Sequence, residues 1–183
     1  MDDYSGQRYA SNLNSLRQRW QTWVMRILLK LVLDCTPDAA WDAVRSPRGM
    51  QQVSAPFSTF ESLEPAGFPA SWSAGEHPVK ISSFGVVPIG EQVIGISYPE
   101  RDDDVRVQLD TGRGLNGPLA LVTKWEHSIA IAPAPGGRTL YRDQLVFEAG
   151  RIAPLLWLGY WAFWQWRGAR IRSLAPGWTA GPG

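Results

Sequence analysis

Residues 122–150 read VTKWEHSIAIAPAPGGRTLYRDQLVFEAG. Two runs of alternating character flank a Pro/Gly turn. Trp125, His127, Ile129, Ile131, Thr139, Tyr141, Asp143, Leu145 and Phe147 fall on one face, and Lys124, Glu126, Ser128, Arg142, Gln144 and Glu148 on the other. A period of two predicts an antiparallel hairpin with one buried face and one wet face. The buried face is apolar except for one histidine, one aspartate and a few hydroxyls, a composition suited to a hydrophobic pocket with a polar anchor. With the turn centred near Pro135, His127 is expected to face Asp143, Trp125 to face Leu145, and Ile129 to face Tyr141. Directly opposed side chains have Cβ atoms ~5 Å apart, close enough for His127 and Asp143 to share a hydrogen bond.

Downstream of the hairpin, the spacing predicts one long helix over 152–174. Trp157, Trp161, Trp164, Gly168 and Ile171 recur at helical intervals and are expected to grip the sheet and form a cavity wall, with Gly168 permitting close approach. Leu155, Ala162 and Trp166 make the opposite side apolar too. A helix apolar on both sides is buried twice or docks to something, and the flanking Arg151, Arg167, Arg170 and Arg172 suit either a homodimer or a peripheral contact with anionic lipid. The ordinary alternative is arginines in water.

Upstream, Met25, Ile27, Leu29, Leu31 and Leu33 alternate with Arg26, Lys30 and Asp34, predicting a first strand over 24–35. Thr36-Pro37 and Ser46-Pro47 are helix-start signals, for helices over 37–45 and 47–53. Strands are expected at 56–63, 78–85, 89–98 and 104–110, with loops at 64–76 and 111–118. Residues 1–22 are polar and read as an arm, helical in part or disordered. Residues 23–175 read as a single domain and 176–183 as a frayed tail.

The composition narrows the function classes. At 183 residues and 44% hydrophobic, the chain suits one folded domain with a sizeable core. A net charge of +1 excludes a strong polyanion-steering field, so nucleic acid is not an expected partner. No apolar run reaches the ~18 residues of a spanning helix, and the N-terminus has no apolar leader segment. The one cysteine, Cys35, reads as an inert buried thiol and fits a reducing, cytoplasmic location. Two histidines and one cysteine supply no recognised metal-ligand spacing, so no metal or cofactor is expected. Gly112–Gly117 matches G-x-G-x-x-G in letters, but Pro118 and another strand follow where a helix should start, so a nucleotide site is not expected. Ten tryptophans point to a core, a pocket or an interface.

The order of elements is β-α-α-β-β-β-β-β-β-α: an α+β arrangement whose antiparallel sheet of about seven strands must bury its apolar face, and only the last helix is long enough to cover it. CTPDAAWDAVRSPRGM (35–50), FGVVPIGEQVIGI (84–96), WEHSIAIAPAPGGRTLYRDQLVF (125–147) and WRGARIRSLAP (166–176), in that order, resemble the START-like helix-grip superfamily, also called SRPBCC, which includes polyketide cyclases and birch-pollen-allergen-like proteins. The resemblance implies a curved sheet wrapped around the C-terminal helix with an internal hydrophobic cavity, and no single reaction.

Three functions follow as expectations. The first is a carrier or sensor of a small hydrophobic ligand (a lipid, a polyketide or another aromatic or isoprenoid-like molecule), contacted by Trp125, Ile129, Tyr141, Leu145, Trp157, Trp161 and Trp164. The second is a cyclase, aromatase or dehydratase with His127 and Asp143 as its general acid–base pair. The third is a membrane- or partner-docking module that uses the Trp-rich helix.

Overall fold

The computed structural model describes residues 23–180. The first strand, β1 (Val24–Leu33), ends where Thr36 caps helix α1 (Pro37–Val44): the Thr36 hydroxyl accepts a hydrogen bond from the Ala39 N–H at 3.3 Å. Ser46 repeats the device for α2 (Pro47–Ser54), accepting from the Gly49 N–H at 3.2 Å. Both helices carry proline in the first turn, where the missing N–H costs nothing. A meander of strands follows: β2 (Ser58–Ser62), β3 (Gly75–Ser83), β4 (Val87–Ser97), β5 (Arg106–Asp110) and the two-residue β6 (Arg113–Gly114). The hairpin is β7 (Lys124–Ala134) and β8 (Arg138–Glu148), and the chain then enters α3 (Ala153–Leu174).

All eight strands form one antiparallel sheet in the order β1-β8-β7-β5-β4-β3-β2, with β6 paired to β4 beside that path. This is the α+β helix-grip arrangement expected. The strand beyond the expected seven is β6, which lies inside the stretch 111–118 read as loop. Its ladder is interrupted at Thr111-Gly112, and two residues are too few to show a period.

The hairpin register differs from expectation by one pair. His127 lies opposite Leu145, Trp125 opposite Phe147, Ile129 opposite Asp143 and Ile131 opposite Tyr141. The strands run on to Ala134 and Arg138, so the turn is Pro135-Gly136-Gly137, with both glycines at positive φ (77° and 69°). Its centre is therefore Gly136, not Pro135. Moving the centre by one residue moves each partner by two, so every side chain keeps its face.

Helix α3 crosses the concave face. A Cβ on Gly168 would lie 3.0 Å from a Leu29 methyl, so the missing side chain is what lets the helix approach β1. Two apolar clusters pack against it, and a third lies elsewhere on the sheet. One joins Leu31, Ile131, Tyr141 and Val53 to Ile171; a second joins Ile27, Leu145 and Phe147 to Trp164; a third, under β3 and β4, contains Trp72, Val79, Ile81, Ile94 and Ile96. At the junction with the stretch read as a tail, a short 3-10 turn spans Ala175–Gly177. Ala175 is fully buried and Trp178 packs against the first cluster. The arm at 1–22 lies outside the described residues. Among the described residues no helix is long and apolar enough to cross a membrane.

Candidate functional site

The three clusters leave a cavity of about 920 Å³ between the sheet and α3. Its wall is mostly apolar, built from Met50, Val53, Phe60, Trp72, Ile81, Ile94, Ile96, Ile129, Tyr160, Phe163 and Ile171. Phe57 and Leu155 both line it and are exposed, Leu155 at 73%, so the cavity opens between the end of α2 and the first turns of α3.

One side of the cavity is polar, and the His127, Tyr141, Trp164 and Arg167 side chains that line it converge on Asp143 behind the wall. This carboxylate is 1% exposed and is met from three elements. Oδ1 accepts from His127 Nε2 on β7 at 2.9 Å and from the Trp164 indole N–H on α3 at 2.8 Å. Oδ2 accepts from the Tyr141 hydroxyl at 2.8 Å, and the Arg167 guanidinium stands 3.8 Å away. Burial alone would push the Asp143 carboxyl up. The charge and hydrogen bond of His127, then Arg167 and the Trp164 N–H, outweigh burial and hold it well below the usual carboxylate range. Burial, then the adjacent carboxylate, push the Tyr141 phenol well above its ordinary range, so it remains a donor. An ionised Asp143 carries no proton, so the His127–Asp143 hydrogen bond is donated by Nε2–H, and Nδ1 is the ring nitrogen left for the cavity that His127 lines.

His127 and Asp143 thus meet across a diagonal of the hairpin rather than face to face. Of the other residues expected to contact a ligand, Trp125, Ile129, Tyr141 and Trp164 line the cavity. Leu145, Trp157 and Trp161 lie outside its wall. Leu145 is sealed in the cluster beneath α3. The Trp157 N–H donates to the Arg26 carbonyl at 2.9 Å, and the Trp157 ring stacks on Trp161, which is 43% exposed. Leu155, Ala162 and Trp166, expected on the opposite face, line the cavity instead. Arg167, read as one of a set of solvated arginines, is buried with its guanidinium 5.0 Å from the Trp164 ring centre.

Sequence reasoning missed the β5 contribution. Gln108 and Asp110 are buried and line the cavity. Asp110 lies directly opposite His127. Its Oδ1 accepts from the Gly95 and Gly112 N–H groups at 2.8 and 2.9 Å, and its Oδ2 from the Trp125 indole at 3.0 Å. These bonds replace the ladder where β5 breaks before β6. Burial pushes the Asp110 carboxyl up, against the pull of His127 and of its donors. The signal available in the sequence was the Asp110-Thr111-Gly112 step that ends a strand pattern.

Elsewhere the polar pairs serve the fold. His77, also buried, is held by Glu64 at 2.8 Å and the Ser73 carbonyl at 3.0 Å, fastening the loop before β3. The Cys35 thiol, half-buried where full burial was expected, is pushed up by burial and faces Thr139. In the G-x-G-x-x-G segment a Cβ on Gly112 or Gly114 would collide with the backbone of Val93 or Leu119. Those glycines serve close chain approach. Among the described residues no group of three His, Cys, Asp or Glu side chains could hold a metal ion.

No family model matches the sequence, and no curated protein matches it. Solved structures do. A protein from Chromobacterium violaceum aligns over 82% of this chain and 96% of its own, at 19% identity and a TM-score of 0.58. A point mutant of norcoclaurine synthase from Thalictrum flavum, in complex with a transition-state analogue, aligns over 84% of this chain and 95% of its own (15% identity, TM-score 0.55). The Zhui aromatase/cyclase from Streptomyces sp. R1128 aligns over 84% and 94% (10% identity, TM-score 0.55). At these identities the likeness speaks for architecture, and together with the topology above it shows that the chain has the helix-grip fold of the START-like proteins.

Proposed function

We propose that the protein binds a hydrophobic small molecule in the cavity between the sheet and α3, as a carrier or sensor. The observation that carries this reading is the cavity itself: about 920 Å³, apolar over most of its wall, with a few convergent polar groups on one side. Such a volume accommodates a multi-ring or long-chain molecule. Lipids, polyketides and isoprenoid-like compounds are the ligand classes that fit. Native purification followed by denaturation and mass spectrometry tests it. The expected result is a hydrophobic compound retained by the wild type and by His127→Ala alike. Repeated recovery of protein without any such compound, together with no uptake of a fluorescent hydrophobic probe, overturns the reading.

A second reading is favoured by one specific feature, the unpartnered Nδ1 of an imidazole whose other nitrogen is locked by a buried carboxylate. That is the geometry of a general base or acid positioned for proton transfer on a bound substrate. In this reading the protein is a cyclase, aromatase or dehydratase, as the name of one structural neighbour suggests. If the wild type retains a chemically altered relative of the compound held by His127→Ala, the pair is catalytic. Identical compounds in both leave the carrier reading alone.

A further inference from the structure

Gln108 stands in the middle of β5 and lines the cavity; it is 8% exposed, and its carboxamide oxygen has no hydrogen-bond partner. A buried amide left unmet is costly, so proteins seldom keep one without a use. One that borders a ligand cavity is met by what occupies it. Gln108 is two residues before Asp110, the direct cross-strand partner of His127, and so lies on the diagonal from His127 along the same face. Diagonal neighbours have Cβ atoms about 7 Å apart, within reach of one group bonded to both. Asp110 itself is spent on three donors and Asp143 on three more. Gln108 Oε1 and Arg167 Nε are buried atoms of this wall without a hydrogen-bond partner, and the Nδ1 of His127 is a third group that the fold does not use.

We propose that Gln108 and His127 together hold a hydroxyl group on an otherwise apolar, ring-bearing ligand. The inference rests on the ligand-binding reading above and adds the chemistry the ligand must carry. With a neutral imidazole, the hydroxyl donates to Nδ1 and accepts from the carboxamide N–H. With an imidazolium, it accepts from Nδ1–H and donates to the carboxamide oxygen. A hydroxyl bridges the pair in either state, because it donates and accepts through one atom, and with an imidazolium it also meets the carboxamide oxygen that the fold leaves free. An ether or ketone only accepts. An anionic group would share the wall with the Asp110 carboxyl, and lie near the Asp143 carboxylate behind it, against the single guanidinium of Arg167. The rings of Trp125 and Trp164, packed edge to face with centres 6.3 Å apart, and those of Tyr160 and Phe163 favour a planar, ring-bearing body next to the hydroxyl.

The test measures dissociation constants by quenching of tryptophan emission, with pyrene, 1-methoxypyrene, 1-hydroxypyrene and 1-pyrenecarboxylate as probes. The wild type is expected to bind 1-hydroxypyrene about tenfold more tightly than pyrene or the methyl ether, the gain of two modest hydrogen bonds. Gln108→Met is expected to shrink that preference to about threefold, read as the ratio of the two dissociation constants in the same variant. Gln108→Leu and His127→Phe serve as further variants, and pyrene binding in each reports that the cavity is intact. Equal binding of hydroxypyrene and pyrene by the wild type overturns the hydroxyl assignment and leaves the cavity reading standing. A preference for the carboxylate overturns it in favour of Arg167. No binding of any of the four overturns the cavity reading itself.

Discussion

Asp143 and Asp110 are both buried on the concave face, β7 runs between their strands, and each accepts an indole N–H. They are nevertheless opposite electrostatic cases. Asp143 has His127 and Arg167 beside it, and their charge holds it ionised. Asp110 is hydrogen-bonded only by two backbone N–H groups and an indole, with no guanidinium beside it, and burial wins over these and over the charge of His127. Dipoles satisfy a carboxylate's lone pairs, whereas a neighbouring cation compensates its charge. One aspartate therefore organises a charged centre and the other repairs a break between strands.

The comparison breaks most severely at Asp143. Asp143→Ala leaves the Tyr141 hydroxyl, the Trp164 indole, His127 Nε2–H and Arg167 without their shared acceptor, and is expected to cost about 3–5 kcal/mol of folding stability. Urea denaturation at neutral pH checks it, and a loss under about 1 kcal/mol would contradict the shared-acceptor picture. Arg167→Met removes only the 3.8 Å member of the set and relieves a buried, unpartnered Nε. The expected cost is about 1–2 kcal/mol.

Acid titration sharpens the contrast, because the two signs are opposite. The Asp143 carboxyl is lower in the folded chain than in the unfolded one. Its contribution is present above the unfolded value of about 3.9 and is lost as pH falls below it. The Asp110 carboxyl is raised, so its contribution is largest below that value and declines as pH rises. The stability gap between wild type and Asp143→Asn is expected to widen from pH 3 to pH 5, and that between wild type and Asp110→Asn to narrow. Parallel gaps in stability-versus-pH curves would remove the distinction. The smallest effect belongs to the helix surface that faces away from both carboxylates: Trp161→Ala is expected to change stability by under about 0.5 kcal/mol, read as a Tm shift of a degree or two.

The hairpin was legible because a period of two survives uncertainty about the turn. Displacing its centre from Pro135 to Gly136 exchanged partners and kept faces, so His127 and Asp143 remained neighbours. Helix α3 was legible as an element and illegible in orientation. With Leu155, Trp157, Trp161, Ala162, Trp164 and Trp166 spread around it, no single stripe declared which side meets the cavity. Trp157 and Trp161 were assigned to the wall where Leu155, Ala162 and Trp166 stand. Arg167 could not be read as buried, since its partner on strand β8 is 24 residues away (167 − 143). Gln108 and Asp110 escaped notice because β5 has five residues, two of them charged, and Asp110 takes its role from a strand break that only tertiary pairing creates.

The indoles of α3 anchor it at three heights to three parts of the chain: Trp157 to the Arg26 carbonyl of β1, Trp164 to Asp143 of β8, and Trp166 to the Ala55 carbonyl at the end of α2. A rod pinned at three points in different directions neither slides nor rolls without breaking bonds in the interior. Passage through the opening is then a matter of side chains such as Phe57, whose ring packs edge to face on Phe84 with centres 5.3 Å apart, so exchange of the proposed ligand would be governed by how often those rings part.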